Sequence, residues 1–298
     1  PQVHADIHEM GYESPYFFPP SAEPLHEFID QYQKDFHFSL GKNIAAKFDK
    51  ENWLYNTRER FDLFYPSYGD TYPTYNGAVG MTLEQGGIGA GREIKLANGT
   101  HLTTKDRLTH HAKAVLTIIE TASNQSDQLL KGFRGFMTNS RKKAKGVYAT
   151  YLMKNNPKSE QLVELLKKNG IEYSYANASQ KTIGYNYKTK KDNAFSIEPN
   201  DLIIKADQPR GVMTQVLFEP NQKLNDSLSY DITAWDLPLA YGLEGYALKN
   251  SVALSTKAEI EKKQLNAPEK VYAFHIPWNN RTSAKIVSQL LQNGIKVR

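Results

Sequence analysis

The stretch "VHADIHEMG", Val3 to Gly11, sets His4 and His8 four positions apart, with Asp6 between them and Glu9 directly after His8. On a helix that spacing stacks two imidazoles on one face, where they can share a zinc ion. The neighbouring residues point to a strand instead. Val3, Ala5 and Ile7 alternate with His4, Asp6 and His8, and Met10-Gly11 ends the run as a loop would. At roughly 3.3 Å per residue, strand positions four apart lie about 13 Å from each other. Ligand bonds of about 2 Å cannot span that gap. At most one of the two histidines can be a metal ligand, and His8, where strand gives way to loop, is the better placed. The plain alternative is a polar histidine at a strand end.

A second pattern organises the far half. "VYATYLMKNNPKSEQLVELLKKNGIEY" from Val147 and "VYAFHIPWNNRTSAKIVSQLLQNGIKV" from Val271 align without a gap. They share Val-Tyr-Ala, an Asn-Asn pair, and a Leu separated by two residues from Asn-Gly-Ile. This internal repeat, 147–173 and 271–297, predicts a strand, a turn, a helix of about three turns, an Asn-Gly C-cap and a second strand in each copy. Such a unit is a parallel β-α-β. The second copy stops two residues into its second strand, which would leave an apolar edge open, so continuation beyond Arg298 is expected. Between the copies, "NDLIIKADQPRGVMTQVLFEP" suggests a strand and then a helix starting near Pro209. "YDITAWDLPLAYGLEGY" could line a pocket or pack on the first half, with core packing expected for Trp235.

The segment from Gly11 to Lys145 reads less regularly. Pro24 suits the first position of a helix in which Leu25, Phe28, Ile29, Tyr32 and Phe36 recur at helical spacing. "GKNIAAKFDKENWLY" continues as helix or turn, and "FYPSYGDTYPTYNG" reads as loop. "AVGMTLE" is a short apolar strand with Glu84 at its end. "GGIGAG" lacks the Lys-Ser/Thr of a phosphate loop and supports only a turn. Asn98-Gly99 marks a hairpin. Leu108, Ala112, Val115, Ile119 and Ala122 form one apolar helical stripe, with His110 and His111 expected at the surface.

Length and composition set broad limits. A chain of 298 residues suits two domains, and 40% hydrophobic with 23% charged residues is ordinary for a globular protein. No apolar run approaches the roughly 18–20 residues of a membrane span. With no cysteine, disulfides, thiolate metal sites and a cysteine nucleophile are excluded. The net charge of +5 is spread along the chain. Its densest cluster, "RKKAK" at 141–145, suits a helix C-terminus or linker. A nucleic-acid surface would interleave aromatic and basic residues, so no nucleic-acid partner is expected. Nothing in the sequence sets an oligomeric state.

"ADIHEMG" with "YFFPPSAEP", and later "FYPSYGDTYPTYNGAVGMTLEQGG", resembles the second half of an M14-family zinc carboxypeptidase catalytic domain, the large bacterial secreted type with extra C-terminal domains. The likeness spans roughly residues 1–122. It implies His8 as the late zinc ligand, Glu84 as general base, Asp70 as the pocket-region aspartate, and Tyr65, or failing it Tyr68, as the tyrosine closing over a peptide substrate. It also implies a Zn2+ cofactor and a secreted or periplasmic location. The family's H-x-x-E, source of the other two ligands, occurs at none of the eight histidines. The expectation is therefore a fragment of a longer peptidase, inactive alone; a relative that has lost the metal and only binds peptide or cell-wall fragments is the alternative.

The expected fold is α/β: residues 1–122 as the C-terminal part of a carboxypeptidase-like mixed-sheet domain, 123–145 as a helical linker, and 146–298 as a mostly parallel β-α-β accessory domain. The last resembles amidotransferase-like or flavodoxin-like folds. Lacking the cysteine an amidotransferase needs, it is expected to be structural or substrate-positioning. A third possibility is an interaction scaffold in which Trp235 and Trp278 meet a partner.

Overall fold

The computed structural model describes residues 1–89, 91–224, 229, 235–252, 256–257, 270–278 and 281–298. The chain is a mixed α/β structure built on two main sheets. Its first part runs β1 (Val3–Gly11), β2 (Tyr16–Phe17), β3 (Ala22–Leu25), α1 (Gln31–Lys50), β4 (Tyr55–Asn56) and β5 (Asp62–Leu63). It continues with α2 (Thr71–Tyr75), β6 (Val79–Gly87), β7 (Ile94–Lys95), β8 (His101–Leu102) and α3 (Thr104–Asn124). The main sheet here has the order β1-β6-β2-β4. It is mixed: β1 runs parallel to β6, β2 antiparallel to β6, and β4 parallel to β2.

Alternation on β6 builds the core. Val79, Met81 and Leu83 turn to one face and pack with Phe36, Leu40, Ile44 and Phe48 of α1 and with Ala114 and Ile118 of α3. Helix α1 begins later than Pro24 suggested. Pro24 lies in β3, paired with β5, and the helix is started by a reciprocal capping box between Asp30 and Gln33. The stripe expected on α3 is also displaced: Leu108 and Ile119 are 65% and 60% exposed, and Ala114, Thr117, Ile118 and Thr121 face inward. The buried Arg107 lies on the same inward side. Its guanidinium pairs with Glu9 and donates to the carbonyl of Gly89 at 3.0 Å. Where α3 meets α1, Asn43 donates to the Thr121 hydroxyl at 2.9 Å. The tyrosine-rich stretch expected as loop contains α2, with Thr71, Thr74 and Tyr75 buried. Gly99 takes φ +87 in the hairpin joining β7 and β8.

Helix α4 (Ser126–Lys142) lies where a helical linker was expected, and it is packed into both halves of the chain. Leu129 enters the core just described, and Phe136 enters a second one. That second core draws Phe28, Leu63 and Tyr75 from the first part together with Tyr151, Leu166, Ile204 and Phe218 from the second.

The second part comprises β9 (Thr150–Met153), α5 (Ser159–Lys168), β10 (Ser174–Ala176), β11 (Gln180–Asn186), β12 (Lys191–Ile197) and β13 (Leu202–Lys205). After these come α6 (Gly211–Phe218), α7 (Leu237–Ala240), β14 (Gly245–Leu248), β15 (Thr256–Lys257) and α8 (Arg281–Gln292). Its sheet has the order β12-β11-β14-β9-β13-β10-β15, and each described pairing is antiparallel. The expected mostly parallel sheet is thus corrected. β9 and β10 do run parallel across α5, but β13 is inserted between them and pairs antiparallel with both. The repeat encodes a split β-α-β rather than a closed one.

The second copy keeps the helix and its cap. Asn169 and Asn293 each bond back to the carbonyl four residues earlier, and Gly170 and Gly294 follow at φ +64 and +69. Residues 271–277 are not in a strand, and no described strand flanks them; Trp278 is 71% exposed. Trp235, by contrast, packs against the second core and donates to the carbonyl of Val216 at 2.7 Å. Among the described residues no helix is long and apolar enough to cross a membrane.

The two copies should therefore differ in their response to the same substitution. Leu166→Ala should lower unfolding free energy by about 3 kcal/mol, because Leu166 is fully buried. Leu290→Ala, at the matching and only half-buried position, should cost under about 1 kcal/mol. Urea denaturation of both variants measures the contrast.

Candidate functional site

Strand pairing places the residues singled out by sequence. In the β1–β6 register Asp6 lies opposite Thr82 and His8 opposite Glu84. Adjacent strands are about 4.8 Å apart, and paired residues project to the same face. Since Val79, Met81 and Leu83 face the helices, the alternate residues His4, Asp6, His8, Thr82 and Glu84 share the opposite face. Both strands outrun the expected ends, because Met10 and Gly11 still pair with Gly86 and Gly87. His8 and Glu84 consequently sit within the sheet rather than at a strand-to-loop junction. With β1 a strand, His4 and His8 cannot share one ion.

Helix α2 and the loop before it close over this face. A side chain at Gly80 would overlap the carbonyl of Asp70 and the Thr74 hydroxyl, and one at Gly69 would overlap the Asp6 carboxylate. Asp70 is held by the Thr82 hydroxyl, which donates to Oδ2 at 2.8 Å, while its carbonyl accepts from Thr74 Oγ1 at 2.7 Å. Nε2 of His8 lies 3.0 Å from Oδ1 of Asp6. Tyr65 stands on the loop leading into α2. Its ring meets those of Tyr68 and Trp235, at centroid distances of 5.2 and 5.7 Å, and its carbonyl accepts from Thr71 Oγ1. The structure thus gathers His8, Glu84 and Asp70, and adds Asp6 and Thr82, while Tyr65 packs toward the second part of the chain.

The electrostatics of this face are unbalanced. Glu84 and Asp70 are only 7% and 5% exposed. Oε2 of Glu84 is buried without a hydrogen-bond partner among the described residues. Burial pushes the Glu84 carboxyl above the usual range; His8 and Arg60 oppose the shift, and Asp6 and Asp70 add to it. Asp70 is also raised, again by burial first, against the pull of the Thr82 hydroxyl and with Asp6 adding to it. A concentration of carboxylates with an unsatisfied buried oxygen is suited to taking up a proton or a cation. Among the described residues, however, no three His, Cys, Asp or Glu side chains form a group that could hold a metal ion. These residues alone do not make a complete zinc shell.

Sequence reading missed the histidines behind the sheet. His110 and His111 were expected at the surface, yet both are half-buried. His111 Nδ1 is 2.8 Å from the Tyr16 hydroxyl, and His110 Nδ1 is 2.7 Å from Oε1 of Gln85. His110 also packs on Trp53, with centroids 4.3 Å apart. Burial lowers both imidazole pKa values, favouring the neutral forms. Gln85 and Glu84 point to opposite faces, so His110 braces the strand that carries Glu84 from its core side, and His111 holds the neighbouring β2 through Tyr16. Asp6 and Thr82, on the other hand, were findable: each is two positions from a flagged residue and shares its face.

Compared with protein-family models, with curated proteins and with solved structures, the chain matches none.

The Glu84 shift gives a signed expectation. A raised carboxyl binds its proton more readily folded than unfolded, so its contribution to stability falls as pH rises from its ordinary 4.5 through the raised value. Glu84→Gln removes that ionisation. The variant should melt higher than the parent at pH 7, and the difference should shrink as pH is lowered toward the ordinary carboxyl range. Thermal melts across pH check this; a variant less stable than the parent at pH 7, by the same margin at low pH, would contradict it.

Proposed function

We propose that the His8–Glu84 face is part of the catalytic centre of a zinc-dependent metallocarboxypeptidase, acting on the C-terminal bond of a peptide. The observation that supports the reading is the direct pairing of His8 with Glu84, combined with the unsatisfied buried oxygen on Glu84. His8 would supply one ligand to zinc, and the other two would come from outside the described residues. A zinc ion so held would polarise the scissile carbonyl and the attacking water. Glu84, its pKa raised by burial, is suited to receive the water's proton on Oε2 and pass it to the leaving amine. Asp70, fixed by Thr82, would hold the α2 loop against the site, and Tyr65 would have to leave its packing on Tyr68 and Trp235 to close over the bound peptide. A secreted or periplasmic bacterial setting accompanies this reading.

One observation favours a second reading, a metal-free relative that binds peptides or cell-wall fragments without cutting them. Asp6 already occupies Nε2 of His8, a contact that zinc on the same nitrogen would have to displace. Zinc titration with elemental analysis, alongside hydrolysis of blocked dipeptides, separates the possibilities. For these 298 residues the metal reading expects weak zinc uptake, reduced at least about tenfold by His8→Ala, and no turnover. Zinc uptake indifferent to His8→Ala, with dipeptide binding unaffected by zinc, would favour the metal-free relative. Tight one-to-one zinc with turnover would refute the need for outside ligands.

A further inference from the structure

A cavity of about 650 Å3 opens beside the first turns of α1, between the Pro20–Leu25 segment and the turn that carries Arg58 and Arg60. Its walls are of two kinds. Leu25, Ile29 and Leu63 give an apolar side, and Lys34, Arg58 and Arg60 give a cationic one. Among the described residues, none of these three cations is within ion-pairing distance of a carboxylate. The acid on the cavity wall, Glu23, accepts a hydrogen bond from the Leu25 amide at 2.8 Å.

The backbone of that turn is unusual. Arg58 and Arg60 both adopt left-handed conformations, at φ 60 and 64. Such positions favour glycine or asparagine, and a long side chain there carries a conformational cost. The turn is nonetheless held, by the Arg58 amide donating to the carbonyl of Pro20 at 2.8 Å. Each guanidinium is also ordered against a ring, Arg58 over Phe38 at 4.9 Å and Arg60 over Phe61 at 5.5 Å. Two planar forks one residue apart, pre-positioned on one cavity, match carboxylates in pairs. The apolar wall asks for hydrocarbon beside those carboxylates, which a bare inorganic anion lacks.

We propose that this cavity binds an acidic peptide segment, with glutamate or aspartate side chains held by Arg58 and Arg60 and a neighbouring apolar side chain against Leu25, Ile29 and Leu63. The chain's net charge of +5 favours the same class of ligand over neutral competitors. The site stands apart from the hydrolytic reading. It needs neither zinc nor Glu84, although Arg60 is close enough for its charge to be felt at Glu84.

The test uses a dye-labelled peptide of alternating glutamate and leucine, amidated at its C-terminus, and a control with glutamine in place of glutamate. Amidation removes the terminal carboxylate that a carboxypeptidase would engage, so failure of the hydrolytic reading leaves this assay untouched. Fluorescence anisotropy should show saturable binding of the acidic peptide that weakens with added salt, and at least about tenfold weaker binding of the glutamine control. The double variant Arg58→Asn/Arg60→Asn keeps residues tolerant of left-handed backbone and removes both charges; it should lose at least about tenfold in affinity. Lys34→Ala, on the regular helix α1, should lose severalfold and stands in if the double variant melts early. Equal binding of the control peptide, no change in the folded variants, or saturable binding of inorganic phosphate alone would each overturn the proposal.

Discussion

Val3 pairs with Val79, and the rest of the β1–β6 ladder follows from that one alignment. Because side chains alternate along a strand, a slip of a single residue would send His8 and Glu84 to opposite faces. Several contacts forbid the slip. Val79, Met81 and Leu83 are fully buried against α1 and α3. Gly80 has to face Asp70, where no Cβ fits. Glu9, one residue past His8, is caught by the buried Arg107 of α3. The hydrophobic core and a crowded glycine thus fix which way β6 faces, and the pair between Glu9 and the buried Arg107 fixes β1 beside it.

That register gathers carboxylates where folding alone would avoid them. Asp6, Asp70 and Glu84 occupy one region, with one imidazole near them, and burial raises two of the three carboxyls. Unpaired buried charge is destabilising, and natural chains retain such arrangements mainly where a site uses them. The opposite side of the same strand is conventional: Gln85 meets His110, and His111 meets the Tyr16 hydroxyl. One face of β6 is therefore satisfied and packed, and the other is left electrostatically incomplete.

Much of this was legible in the sequence, and the limits have physical causes. Alternation from Val3 to His8 and the Asn98-Gly99 and Asn-Gly signals are local, and each found its strand, turn or cap, though the strand runs on through Gly11. Pairing partners are not local. Nothing within 147–173 announces that Leu202–Lys205 inserts between its two strands, so a parallel unit read from the repeat became part of an antiparallel sheet. The α3 stripe failed for a related reason. The period was right, but the inward face lies elsewhere on the helix: Arg107, Ala114, Thr117, Ile118 and Thr121 are buried, while Leu108 and Ile119 are exposed. At the site, His8 and Glu84 were singled out individually, and Asp6 and Thr82 joined them only once the face was known. His110 and His111 gave no signal at all, since a polar pair on a helix ordinarily faces water.

The central claim is that residues 8 and 84 stand side by side on one face of the sheet. A chain with no native cysteine permits a direct measurement. In His8→Cys/Glu84→Cys, paired positions on neighbouring strands lie within the roughly 4.4–6.8 Å Cα range of a disulfide, so mild oxidation should form the intramolecular bond. The shifted pair Ile7→Cys/Glu84→Cys should remain reduced, because its side chains leave opposite faces. A bond in the shifted pair and none in the first would contradict the register, and with it the site.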